Sequence, residues 1–204
     1  MTAAGAPPVD EALKRELTAL YRDGSRHYHG IEHIEALLAL AEDYRPLLSD
    51  PQAVEAAIWF HDAIYDSQAK DNEEQSAGLA AHRLSGKLEA TRLDRIVTMI
   101  RATAKHELPE LKSAAALRDA SLFLDMDMSI LGAAPDVFDR YEAAVRKEYA
   151  WVPEAAWTVG RGAVLRSFLE RPSIFLTQEF RGRFEAQARE NISRSLSALE
   201  RTGP

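Results

Sequence analysis

The chain has no cysteine. Disulfides, thiolate metal sites and a cysteine nucleophile are therefore excluded. It has no run of about 18 apolar residues, the length that spans a bilayer as a helix, so no membrane segment is expected. Glycine-rich phosphate loops are absent as well. The 10 glycines are scattered, and none stands in a G-x-x-x-x-G-K pattern. No strand-length stretch alternates apolar and polar residues, and no internal repeat is visible. Positive charge is in deficit: 25 Lys and Arg stand against 32 Asp and Glu, a net charge of −7. That balance argues against binding a nucleic-acid backbone, which calls for a basic surface. A nucleotide substrate remains open, because a metal supplies local positive charge inside an acidic protein. Met1 to Pro8 show no basic stretch leading into an apolar run, so no secretory leader is expected and a cytoplasmic location is.

What is present is helical periodicity. Ile34, Leu37, Leu38 and Ala41 fall at i, i+3, i+4 and i+7, and Leu93, Ile96, Val97 and Ile100 repeat the spacing. Asp50-Pro51 reads as an N-cap followed by a first-turn proline, opening a helix through Val54, Ile58 and His61. Asp71 to Glu74 place acidic groups where another helix starts. Pro135 and Pro153 head further helices, and Thr177 heads the last, through Phe180, Phe184 and Ala188 to Leu199. Asp66–Lys70 and Lys105–Lys112 read as loops, and Arg201–Pro204 as a frayed end. The expected fold is all-α, about eight or nine helices. With 204 residues a single domain is the default, its core over roughly 26–133 and its C-terminal helices over 135–200.

Six histidines are present, and three of them, His27, His29 and His33, crowd into one short segment. His33 shares a helix face with Leu37 and Leu40, so it points inward. His61 shares one with Val54, Ala57 and Ile58, and Asp62 follows it directly. A buried histidine is usually a satisfied core residue. A buried ionised aspartate is costly without a cation, so two inward histidines and an adjacent carboxylate point to a divalent metal. The ligand types suit Mn, Fe, Co, Ni, Zn or Mg and do not choose among them. Further on, Asp125 and Asp127 lie in an apolar helical stretch. Residues two apart diverge by about 200° around a helix, so one ion recruits one of them. Periodicity groups Asp127 with Leu117, Ala120, Leu124 and Leu131, and Asp125 with Leu122, Met128 and Ser129.

The order His33, His61-Asp62, then Asp125 or Asp127 resembles the H…HD…D pattern of the HD-domain metal-dependent phosphohydrolases. The longer run RHYHGIEHI, WFHDAIYD, DNEEQSA, LFLDMDMSILGA is similar to one branch of predicted HD-domain hydrolases, across about positions 26 to 133. The helical tail through Arg146–Tyr149 and Ala188–Asn191 also looks like that branch. The resemblance implies a single-domain helical bundle of the HD type around one or two divalent metals, with His33, His61 and Asp62 as ligands. Ungapped fitting makes Asp125 the fourth ligand, since Ile130 and Leu131 then match the family's apolar pair; Asp127 is the alternative. It also implies hydrolysis of a small phosphate ester, such as a nucleotide. In that reading Asp62 orients the attacking water, and His29 relays a proton or meets the phosphate. Arg26, Asn72, Glu73, Lys105 and His106 are candidate substrate contacts. The general-base glutamate that some HD hydrolases carry after the dipeptide is missing, because Ala63-Ile64-Tyr65-Asp66 stand there. A competing pattern is His29-Gly-Ile-Glu-His33, the H-x-x-E-H of inverted zincin peptidases, with Glu32 as base and Glu73 or Glu107 as third ligand. A metal-binding module without turnover is the non-enzymatic expectation. Oligomeric state has no signature in the sequence.

Overall fold

A computed structural model describes residues 7–202. Met1–Ala6, which hold most of the segment read for a leader, and Gly203 and Pro204, from the expected frayed end, lie outside the described residues. Arg201 and Thr202 remain helical. Among the described residues there are nine α-helices and no strand. They are α1 (Glu11–Tyr21), α2 (Ile31–Asp43), α3 (Pro51–Phe60), α4 (Asn72–Leu84), α5 (Ala90–Ala102), α6 (Ala114–Met128), α7 (Pro135–Glu148), α8 (Glu154–Glu170) and α9 (Gln178–Thr202). Single 3-10 turns span Arg45–Leu47 and Ser129–Gly132. No helix among the described residues is long and apolar enough to cross a membrane. The chain divides into two compact units between Met126 and Asp127. That boundary falls inside α6.

In the first unit α3 is the axis. Every residue from Val54 to Phe60 except Glu55 is buried, and Ala53, Ala56 and Ala57 keep its surface narrow enough for close neighbours. Helices α1, α2, α4 and α5 all pack on it. Full burial of side chains such as Val54 and Ile58 stabilises the fold by about 1.5–3 kcal/mol each. The start of α3 is fixed as the sequence predicts. Asp50 accepts from Ala53 N at 3.1 Å, with Pro51 in the first turn. Arg92 then grips the same carboxylate at 2.5 and 2.8 Å. Asp119 from α6 accepts from the Ser49 and Asp50 amides at 2.8 and 2.9 Å, which ties α6 to the same corner.

Helix α1 opens on the Asp10 cap and buries Leu13, Leu17 and Tyr21 at i, i+4 and i+8. The Tyr21 hydroxyl donates to the Trp59 carbonyl at 3.1 Å, joining the end of α1 to the end of α3. The expected loops at Asp66–Lys70 and Lys105–Lys112 are both non-helical. The second begins with His106 in the left-handed region, φ 49°.

In the second unit α9 packs on α8 and on the Ser129–Gly132 turn. The Asn191 amide, fully buried, donates to the Leu131 and Ala133 carbonyls at 2.9 and 2.8 Å. Gly132 is required by that packing: a Cβ there would lie 2.6 Å from both the carbonyl oxygen and the Cβ of Phe184. Glu185 accepts from the Ile174 and Phe175 amides and so organises the α8–α9 connection.

Candidate metal centre

His33 lies one turn inside α2, on the buried side with Ile34 and Leu37. His61 is the C-cap of α3, so the helix ends at Phe60. The sequence runs the helix through His61 with Asp62 directly after it; in the structure Asp62 stands in the turn that follows α3. The carbonyls that Asp62 N and Ala63 N would meet in a continuing helix are engaged by side chains: Ile58 O lies 2.9 Å from His61 Nδ1, and Trp59 O accepts from the Tyr21 hydroxyl at 3.1 Å. Beyond them, the Asp62 and Ala63 carbonyls accept from the Arg26 guanidinium at 2.6 and 2.9 Å. The Ser76 hydroxyl holds the next residue from the other side. It accepts from Ile64 N at 3.0 Å and donates to Ile64 O at 3.2 Å. The turn therefore leaves the helix axis and swings the Asp62 carboxylate back over His61.

Three donor atoms converge as a result. His33 Nε2 and His61 Nε2 are 3.2 Å apart. Asp62 Oδ2 is 3.1 Å from His61 Nε2 and 3.8 Å from His33 Nε2. One ligand atom from each of these residues lies within 4.8 Å of the others, and the group can hold a metal ion. Bond lengths of about 2.0–2.2 Å put neighbouring donors of one ion roughly 3–3.5 Å apart, so two separations match and the third is slightly wide.

His61 Nδ1 is 2.9 Å from the Ile58 carbonyl, which only accepts, so Nδ1 carries a proton and the ring is held with Nε2 toward Asp62 and His33. Locking the remote nitrogen on a carbonyl is also how metal-ligating imidazoles are oriented. Burial by itself would raise the Asp62 carboxyl; the charges of His61, His29 and His33 and the His61 hydrogen bond outweigh it and hold the group below the usual carboxylate range.

Aromatic rings wall the group. Tyr28 tilts against His33 at 4.9 Å, and Phe123 of α6 meets His61 edge-on at 5.8 Å. His29, half-buried, stacks on Tyr65 at 4.2 Å, with its ring 6.4 Å from that of His33. It precedes α2, whose N-cap is Gly30. His29 and His33 are therefore not one turn of a single helix, and Glu32 is exposed. This is not the helical arrangement the H-x-x-E-H pattern calls for.

The remaining predicted residues take places on α4, α6 and the segment after α5. Asp125 is 2% exposed in α6, while Asp127, where periodicity leans inward, is half-buried. Neither belongs to the three-residue group. Asn72 accepts from Asp66 N at 3.0 Å and donates to Asp66 O at 2.9 Å, pinning the loop after the histidine-aspartate turn. Glu73 is half-buried in the first turn of α4, and Lys105 and His106 follow α5, exposed and half-buried respectively. Ser76, Tyr28 and Tyr65 are the residues that sequence reasoning passed over. Ser76 was within reach of it, because it sits one turn after Asn72 in the DNEEQSA segment.

Comparison of the chain with protein-family models, curated proteins and solved structures returns no match.

Proposed function

We propose that this chain is a metal-dependent phosphohydrolase acting in the cytoplasm on a small phosphate ester, with nucleotides as the leading substrate class. The observation that carries the reading is the convergence of His33 Nε2, His61 Nε2 and Asp62 Oδ2, with the His61 ring fixed by its Nδ1 contact to the Ile58 carbonyl. The resemblance to HD-domain hydrolases adds the reaction class and names Asp125, buried on α6, as a further ligand, with Asp127 as the alternative. The donor set of two imidazoles and a carboxylate fits Mn, Fe, Co, Ni or Zn, and Mg less well for want of oxygen donors.

A divalent ion held there supplies a Lewis acid for a phosphoryl oxygen and allows water to ionise near neutral pH. The chain's own groups supply the rest. Asp62 orients the attacking water through its carboxylate. His29, stacked on Tyr65 and within electrostatic reach of Asp62, takes the water's proton or donates to the phosphate. The water oxygen forms the new bond to phosphorus, the ester oxygen leaves, and the proton returns to it.

The test is phosphate release from a generic phosphomonoester and a nucleotide panel, with Mn²⁺ or Co²⁺ added to purified protein. Metal-dependent release that His61→Ala abolishes and Glu32→Gln preserves is the expected result. No release across the panel by protein that binds the metal would replace the hydrolase with a metal-binding module that does not turn over. Loss of activity in Glu32→Gln would favour the peptidase pattern.

A further inference from the structure

Arg26 looks in the sequence like a phosphate contact, yet its guanidinium is engaged by the backbone. Nη1 donates to the His29 and Asp62 carbonyls at 3.1 and 2.6 Å, and Nη2 donates to the Ala63 carbonyl at 2.9 Å. The planar group lies over the rings of Tyr21 and Tyr65, at 5.1 and 5.7 Å from their centroids. Tyr21 is bonded to the last turn of α3, and Tyr65 is the ring on which His29 stacks. One side chain thus joins the segment before α2, which carries His29, to the turn after α3, which carries Asp62.

We infer that Arg26 is a positioning residue for the metal centre: it holds the Asp62 carboxylate and the His29 ring in register with His33 and His61. The carbonyls it grips lie on the ligand residue Asp62, its successor Ala63, and His29. Without it, the Asp62 and Ala63 peptides lose the group that fixes their orientation, and a rotated Asp62 peptide carries Oδ2 away from the two Nε2 atoms. Arginine suits the task because a rigid fork reaches several acceptors at once and its flat face lies on aromatic rings. Lysine keeps the charge but cannot hold three carbonyls in one geometry. The inference rests on the metal-binding reading above and assigns Arg26 to the protein's backbone rather than to substrate.

The experiment measures the Mn²⁺ and Co²⁺ dissociation constants and the Co²⁺ absorption spectrum, for wild type, Arg26→Ala, Arg26→Lys and His61→Ala, with thermal melts of each. Wild type binds and His61→Ala does not, if the metal reading stands. Arg26→Ala then binds about 10–100-fold more weakly, the usual cost of removing a residue that orients a ligand, and its Co²⁺ spectrum changes. Arg26→Lys falls between. Millimolar guanidinium chloride, added to Arg26→Ala well below its melting temperature, restores affinity by filling the space between Tyr21 and Tyr65. A lower melting temperature with wild-type affinity and spectrum in Arg26→Ala would reduce Arg26 to a structural residue and overturn the inference. Should Arg26→Ala not fold, wild-type affinity in Arg26→Lys overturns it equally. A wild type that binds neither ion removes the metal centre itself, and with it this role.

Discussion

His33 Nε2 and His61 Nε2 face each other across 3.2 Å, although the two residues come from different helices and stand 28 positions apart. Two imidazole nitrogens this close share a proton or a metal. With Asp62 Oδ2 at 3.1 Å from His61 Nε2, a metal would meet all three donors at once. Alanine at His61 or Asp62 is therefore expected to weaken Mn²⁺ binding by more than the roughly 10–100-fold that follows loss of an orienting partner. Isothermal titration checks it; unchanged affinity in both variants rules the centre out. Saturating metal should also stabilise the wild type, by about 2.7 kcal/mol at a hundredfold excess over the dissociation constant, and EDTA should reverse the gain.

Ser76 tests the far side of the same turn. It is fully buried, and its hydroxyl answers both the N–H and the C=O of Ile64. Ser76→Ala leaves both without that partner, at a cost of about 1–3 kcal/mol in urea unfolding. Amide hydrogen exchange at Ile64 should quicken by more than exchange in α5. Equal exchange rates before and after substitution would show that the turn does not depend on Ser76.

Asp10 gives a pH dependence with a defined sign. Its carboxylate accepts from Leu13 N at 2.8 Å, and that bond, aided by Lys87, lowers its pKa from the ordinary 3.8. A carboxyl lowered on folding contributes stability that is present above its unfolded pKa and lost as pH falls through the folded one. Asp10→Asn keeps an acceptor for the cap but cannot titrate. Between neutral pH and about pH 4 the wild type is expected to hold its advantage over the variant, and below that to lose it. Parallel urea titrations measure the difference. A gap that widens on acidification contradicts the assignment.

Gly132 separates tight packing from helix propensity. Alanine there meets Phe184 at 2.6 Å, so overpacking should cost about 1–3 kcal/mol. Gly160 in α8 has nothing within 4 Å of the same added atom, and alanine there should stabilise by about 0.5–1 kcal/mol. Thermal melts of the two variants are expected to move in opposite directions.

Much of this is legible in the sequence. Asp50-Pro51, the acidic start at Asp71 and the apolar stripes of α2, α3 and α5 are local patterns, and local hydrogen bonding and burial enforce them. His33 and His61 were readable because each shares a face with residues that have to be buried. Asp62 was readable as a neighbour, but its position off α3 was not. The helix stops there because Tyr21 and Ser76, distant in sequence, claim Trp59 O and Ile64 N, while Arg26 holds the carbonyls of residues 62 and 63. The relative burial of Asp125 and Asp127 was not legible either. Periodicity favoured Asp127, yet Asp125 is the more buried, since a stripe that includes half-buried Leu117 is a weak guide to the inward face of a helix as apolar as α6.

The sequence by itself determined an all-helical chain and the residue types of a candidate metal centre, because helix period, caps and inward histidines are properties of short segments. The tertiary structure alone decided which donor atoms meet, where α3 ends, and that Arg26 serves the backbone. Those outcomes depend on contacts between segments far apart in the chain, and a linear pattern carries no record of which donor a given carbonyl will find.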